Sequence, residues 1–560
     1  MITVPELKYE RFTLERANKA FEVFKQEYEK AKNADDVIIA RNNLIKEFKS
    51  YVTAASLANM RFTLDSRDQF YIDERKHYDE IGPLVTNIMS DYGKMMLESK
   101  FRKDLEKKIN PVLFKMWEVS ALAHSPIIVE EEQKENEIVT EYNMLMSQMQ
   151  FDYQGKKVPL SIVRGDLTNV DREVRKEAAI SIGNGLKAHA DKLDDIMDRL
   201  VKIRDLQAKK LGYENFITLG YYRMGRIDYT REMVIDFKNN ILHSIVPIVK
   251  KMKEDLAKEM GIDKIMFYDN DVYSLKGNPR PKLDKDGIFK AAQEMYDEMN
   301  PEIGEFMRKM IATEAFDVDS RDGKWGGGYC TEFPDYDQVF ILANFNGSAD
   351  DIDVVTHEFG HAFAMDYSLK YGDFEMGIGG METAECHSMS MEYFAWKYMD
   401  KFFDDAKGYK RRHLADGLTF LPYGVIVDEF QHIIYEKPEL TPEERKAEWN
   451  KLEKKYRPYM STEGIPYLEE GTRWQYQMHI FEHPFYYIDY VLAGTVAMAF
   501  LVASRKDYDL ALQKYIEFSK AGGTKFFSQL VKEAGLANPF GKGTLEEIGK
   551  EVLLILDELK

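Results

Sequence analysis

Apolar residues recur at three- and four-residue spacing along most of the chain. ERANKAFEVFKQEYEKAKNADDVIIARNNLIKEFKSYV and VIDFKNNILHSIVPIVKKMKEDLAKEM both set them among Lys and Glu, which is the pattern of amphipathic helices. ISIGNGLKAHADKLDDIMDRLVKIRDLQAKKLGY keeps the same period and meets a helix stop at Gly212. Each such helix must bury a stripe, so the pattern predicts a large, mainly α assembly. One region, residues 322–351, breaks the period. DGKWGGGYCTEFPDYDQVFILANFNGSADD is rich in Gly and aromatics, and QVFILANFN is an apolar, β-prone run between turn residues. It predicts a small sheet, with a loop at KWGGGYC before it and a helix after it. There is no internal repeat, low-complexity tract or Pro/Ser linker. The domain boundary is therefore soft: a helical N-terminal domain over 1–200 and a second domain, with the predicted sheet and the helix after it, over 201–560.

Composition narrows the class. The 560 residues are 44% hydrophobic and 31% charged, with a net charge of -19. That charge argues against nucleic acid and anionic membranes as partners. Two cysteines, Cys330 and Cys386, are too few for a disulfide-built fold. The opening MITVPELKYERFTLERANKAFEVF has no signal-peptide pattern and reads as the start of the fold. YVLAGTVAMAFLVA, at 490–503, reads as too short for a membrane-spanning helix. The expectation is a cytoplasmic protein. GLANPFGKGT, at 535–544, misses the P-loop spacing and reads as a turn.

The helix after the predicted sheet carries the chemistry. Ser348 and Asp351 have the form of a capping box. Ile352, Val355, Phe359 and Ala362 or Phe363 form its apolar stripe. His357 and His361 stand at i and i+4, on one face, where two imidazoles can bind one Zn²⁺. Glu358 is rotated by about 100° from His357. It cannot easily join as a ligand, but it can act on a water at the open position as general base. With eleven His in the chain, chance would produce His-Glu-x-x-His about 0.02 times per chain of this composition. Gly360, inside the helix, points to a close approach of backbone or ligand, with plain helix–helix packing as the alternative. A metzincin would need Gly at 364 and His at 367; Ala364 and Tyr367 exclude it. A third ligand is sought downstream in METAECHSMSMEYFAW, which reads as a second helix with candidates Glu382, Glu385, His387 and Glu392. Spacing does not choose among them, although two His plus one Glu is an established catalytic zinc set.

HEFGHAFA, then ETAECHSMSMEYF, then HIFEHPFYYIDYVLAG resemble, in order, segments of the oligoendopeptidase F branch of the thimet-oligopeptidase-like zinc metallopeptidases. The resemblance implies a mainly α, two-part architecture around a deep substrate channel, with a small sheet beside the motif helix in a thermolysin-like core. It implies one zinc per chain. Its Glu-x-x-Ser-x-x-x-Glu pattern, here ECHSMSME, makes Glu385 the third ligand and Glu392 the group that orients a ligand histidine. Ala364 departs from the many relatives with a further histidine there. From the third segment it implies Tyr490, with His479, as donors to the developing oxyanion, and His483, Tyr486 and Tyr487 as weaker candidates. It makes QVFILANFN an edge strand that pairs with an extended peptide, with Gly327, Gly328, Tyr329, Leu342, Ala343 and Asn344 in the strand and loop. The implied substrates are short unfolded oligopeptides cut internally. Two rivals stand beside this reading. One is a metallocarboxypeptidase, for which Arg473 could bind a free carboxylate. The other is a non-catalytic helical peptide-binding scaffold, against which the presence of Glu358 argues.

Overall fold

A computed structural model describes residues 2–321 and 323–560. Met1 and Asp322, which begin the expected N-terminal domain and the Gly-rich segment, lie outside the described residues. The chain is mainly α, as its periodicity predicts. The first expected helix is two: α1 (Leu14–Lys30) and α2 (Ala34–Leu64). The break falls where the Asn33 side chain accepts from Asp36 N–H at 3.0 Å and caps α2. Then come α3 (Gln69–Leu97) and α4 (Pro111–Ala123), the latter opened by the Asn110 cap with Pro at its first position. Phe24, Leu44, Phe48, Tyr92 and Trp117 gather these four helices around a core of their own.

A second, larger core takes in most of the remaining chain. A division at residue 200 would cut through the continuous helix Ala190–Lys210, whose Leu193, Met197, Leu200 and Val201 all sit in this larger core. Gly212 lies just past that helix with φ of +85°, the left-handed stop its sequence position predicts.

The broken period does produce a sheet. Strands β1 (Phe316–Asp319), β2 (Tyr329–Phe333) and β3 (Gln338–Phe345) have the order β1-β3-β2. β3 pairs parallel with β1 and antiparallel with β2, Tyr329 opposite Leu342 and Phe333 opposite Gln338. QVFILANFN is thus the central strand, not an edge. Leu342 and Ala343 are buried. Its two faces are apolar in succession rather than in alternation, as befits a strand covered on both sides.

A short turn leads from β3 into α5 (Asp350–Tyr371). The expected capping box is replaced by a related device. Asp351 accepts from the N–H groups of Asn346 and Gly347 at 2.9 and 2.8 Å, and Ser348 Oγ accepts from Asp350 N–H. α6 (Met381–Phe394) packs on α5, α7 (Ala406–Glu436) lies beside both, and α8 (Tyr487–Lys506) crosses α6. At 20 residues α8 is long and apolar enough to cross a membrane, longer than the 490–503 run suggested, and 78% of its apolar window is buried inside the protein.

Candidate metal centre

Packing places α5. Ile352, Val355, Phe359, Ala362 and Phe363 are all buried, and each large side chain contributes about 2 kcal/mol of hydrophobic stabilisation. Phe359 stacks on Tyr296 with centroids 3.9 Å apart. Gly360 explains how α5 and α6 come so close. A Cβ there would lie 2.5 Å from the His387 carbonyl oxygen and 2.7 Å from Ser388 Cα. From the far side, Tyr409 and Arg412 of α7 bond Asp353 and fix the first turn.

With the stripe buried, His357 and His361 face α6. Their Nε2 atoms lie 3.5 and 3.6 Å from Glu385 Oε2. Donor atoms of the three residues all fall within 4.8 Å of one another. Tetrahedral zinc with bonds near 2.05 Å separates its ligands by about 3.3 Å, so the donor set fits a single ion. Of the other candidates, His387 is fully buried, with neither ring nitrogen partnered among the described residues, and lies against Phe518. Glu382 lines a cavity. Glu392 reaches His357 from behind.

That contact belongs to a chain of donors whose direction can be derived. Trp396 Nε1–H, which can only donate, lies 3.2 Å from His413 Nδ1. His413 must accept there, so its proton is on Nε2, 2.6 Å from Glu392 Oε2. The other Glu392 oxygen accepts from His357 Nδ1–H at 2.6 Å. Nε2 is thus the His357 nitrogen left to face Glu385 and to meet an ion there. Burial opposes the charge of Glu392, but its bonds to His357 and His413 outweigh this and hold its carboxyl at about 2. Burial also opposes a charged His357, yet Glu385 and Glu392 hold its pKa well above the usual range. The pocket stabilises positive charge at this point, which is the electrostatic requirement of a cation site. His413 and Trp396 had no signature in the sequence.

Glu358 is not among the converging donors. Burial raises its pKa, against the pull of His357 and His361. Gly328 lies beside it: a Cβ there would stand 3.9 Å from Glu358 Oε1 and 3.4 Å from the Leu342 carbonyl, ordinary contact distances. Asn344 holds the loop there, donating to the carbonyls of Trp325 and Gly327. Tyr329 Oη is 2.6 Å from Thr63 Oγ1 on α2.

The third segment folds over the centre. Tyr486 Oη donates to Glu385 Oε1 at 2.6 Å, a direct contact for a residue that the resemblance ranks only as a weaker candidate. Its ring lies 4.8 Å from that of Tyr490. Burial first, then Glu385, push the Tyr490 phenol well above its ordinary pKa, so it stays protonated as a donor. His479 rests against Tyr486, Tyr487 and Tyr490. Tyr423 donates to Gln477 Oε1, and the Gln477 amide in turn donates to His479 Nδ1 at 3.1 Å, leaving Nε2–H as the free donor of His479. Burial lowers its pKa to about 4, so it is neutral near pH 7. Tyr487 faces Phe420 and Tyr423. His483 is exposed and sits at 3.8 Å from Glu482. Arg473 stacks on Tyr476 and Tyr423, which engages its guanidinium in packing.

The model of peptidase family M3 matches residues 167–550, and that of the peptidase M3 N-terminal domain matches residues 4–123. The chain belongs to peptidase family M3. It falls in the oligoendopeptidase F branch. Among solved structures, Pz peptidase A with inhibitor 2 is 40% identical, with 99% of each chain covered and a TM-score of 0.95. A structure provisionally named oligoendopeptidase F, from Bacillus anthracis str. Ames, is 35% identical, covering 100% of this chain and 98% of that one, with a TM-score of 0.91. Oligopeptidase PepF of Bacillus subtilis (strain 168) is 23% identical over 388 residues, 66% of this chain. The match spans 55% of PepF's own length.

Proposed function

We propose that this M3 chain is a zinc-dependent oligoendopeptidase that cuts short unfolded peptides at internal bonds. The observation that carries the reading is the convergence of His357 Nε2, His361 Nε2 and Glu385 Oε2, with Glu358 left outside the ligand set. Zinc held by these three residues would supply Lewis acidity and a water of lowered pKa. Glu358 takes the proton from the attacking water and returns it to the leaving amine. Its burial favours both steps, because a carboxylate poorly solvated by water is the stronger base. Tyr490 and His479 Nε2–H donate to the carbonyl oxygen as negative charge develops. Tyr486 holds Glu385 in place as a positioning residue.

The substrate backbone needs a strand edge. With β3 in the centre of the sheet, β2 (Tyr329–Phe333) takes that part, since its first residue follows Gly328 and so begins beside Glu358. A cavity of about 700 Å³ lies between α3, α4 and the front of α6, lined by Met89, Trp117, Met381, Glu382 and Tyr486 among others. It is wide enough for a few residues of extended peptide, and folded proteins are excluded by size. The working place is the cytoplasm, with peptides rather than nucleic acid or membranes as partners.

The test is mass spectrometry of products from a peptide blocked at both ends. Internal cuts that vanish on chelation and return with zinc support the assignment. Stepwise loss of C-terminal residues from an unblocked peptide alone would replace it with a carboxypeptidase. Glu358→Gln should keep its metal and lose about 10²–10⁴ in kcat.

A further inference from the structure

Among the described residues, the cavity in front of α6 contains one buried carboxyl without an ion-pair partner. Tyr486, the donor to Glu385, stands in the cavity wall, so cavity and metal centre share a boundary. Other charged groups in the wall are engaged inside the protein. Glu375 is held by Arg41, Tyr92 and Trp117. Asp228 accepts from the backbone and hydroxyl of Ser528. Arg223 donates to Glu135 and Gln207, and Lys525 pairs with Glu533.

Glu382 differs from them. Its residue is 8% exposed and faces the cavity, and among the described residues it forms no ion pair. Gly380 makes room for it: a Cβ there would lie 2.5 Å from one carboxylate oxygen. The carboxyl therefore folds back over the start of α6, where the helix N-terminus favours negative charge but supplies no counter-ion. Arg226 acts on it from longer range while bonding Phe485, Tyr229 and Asp489. Asp489 and Asp228 add negative field from the neighbouring elements. Burial first, then Asp489, hold the Glu382 carboxyl well above its usual range. Burial without a partner keeps this carboxyl protonated, and a cation arriving from outside favours its ionised form and pairs with it.

We propose that Glu382 receives a cationic group of the substrate and makes the chain selective for peptides that carry a positive charge at one fixed place relative to the scissile bond. The inference rests on the peptidase reading above. The group is a Lys or Arg side chain, or the free N-terminal amine. All present charged N–H donors that suit a carboxylate. The net charge of -19 also draws cationic peptides toward the protein.

Calorimetry on zinc-loaded Glu358→Gln protein reads binding without turnover. The peptides share one sequence and differ by a single Lys or norleucine, moved along the chain, each with a free or an acetylated N-terminus. At one place the charged member should bind about ten-fold tighter than its neutral partner. A side-chain cation gives a peak at one Lys position; an N-terminal amine gives a loss on acetylation. Adding Glu382→Gln should bring the ratio to near one, and Glu382→Asp should retain part of it. If Glu382→Gln does not fold, the scan on the parent protein still decides. A ratio near one at every place, with peptides bound, overturns the inference alone. A ratio that survives in folded Glu382→Gln also overturns it. Failure of every peptide to bind overturns the peptidase reading together with it.

Discussion

Which nitrogen His357 turns toward Glu385 is set by a tryptophan that lies outside the donor set. Trp396 fixes the proton of His413, His413 donates to Glu392, and Glu392 takes Nδ1–H of His357. His413→Ala removes the middle of that chain and should weaken zinc binding by about 10–100-fold, measured by competition with a chelator. Tyr490→Phe should lower kcat by about 10²–10³ while zinc content and KM stay near wild type. A KM effect alone would make Tyr490 a substrate contact instead of an oxyanion donor. His357, Glu358 and His361 were legible in the sequence because one helix orders them, and helical spacing is a local rule. Glu385 was not legible by spacing alone. Glu382, Glu385 and Glu392 share a face of α6, and what separates them is which neighbour each meets: a cavity, the two histidines, or His413. Those meetings are tertiary, so only resemblance to a family could anticipate them. His413 could not be anticipated at all.

Helix contact distance matters at the next scale. α5 and α6 meet across Gly360, where the nearest backbone atom would stand 2.5 Å from a Cβ. Gly360→Ala must push the helices apart, and the two histidines with them. The expected cost is about 1–3 kcal/mol of stability, seen as a lower Tm, together with weaker zinc affinity. An unchanged affinity would mean that the ligands tolerate the shift. The glycine's meaning, close approach, was readable from its place inside a helix. The strand was harder. QVFILANFN signalled β structure through its branched and aromatic residues, but not its position in the sheet. Its unbroken apolar run was the available clue, since a strand with one wet face alternates. The parallel partner that makes it central, β1, lies more than twenty residues upstream, beyond any local pattern.

Across the whole molecule, the N-terminal helices grip the loop between the two ligand-bearing helices. Arg41 of α2 bonds Asp373 and Glu375, and Tyr92 and Trp117 also donate to Glu375. The bundle thus helps set the angle at which α6 presents Glu385. Nearby, Glu135 is buried between Arg204 and Arg223. Burial opposes its charge, but Arg223 and Arg204 outweigh burial and hold its pKa at about 2. The unfolded value is about 4.3, so the folded pKa is depressed. Its stabilisation is fully present above about 4.3 and is lost as pH falls toward about 2. Glu135→Gln leaves buried Arg204 without its counter-charge and should cost about 3–5 kcal/mol at neutral pH. Melting curves of both proteins from neutral to acid pH check this, and the gap should narrow below pH about 4. The mainly helical build could be read from periodicity, while its two parts were implied only by the family resemblance. Where the parts divide could not, because the helix Ala190–Lys210 runs straight through residue 200 with the same amphipathic period as its neighbours.

The central claim is that His357, His361 and Glu385 hold one zinc ion on which peptide hydrolysis depends. The most direct measurement is stepwise return of zinc to chelator-stripped protein, following bound metal and cleavage of an end-blocked peptide in the same sample. The account predicts that cleavage rises in proportion to zinc and levels off at one equivalent, and that Glu385→Gln no longer shows this titration. Full cleavage by the stripped protein, or a Glu385→Gln protein that titrates like wild type, would contradict it.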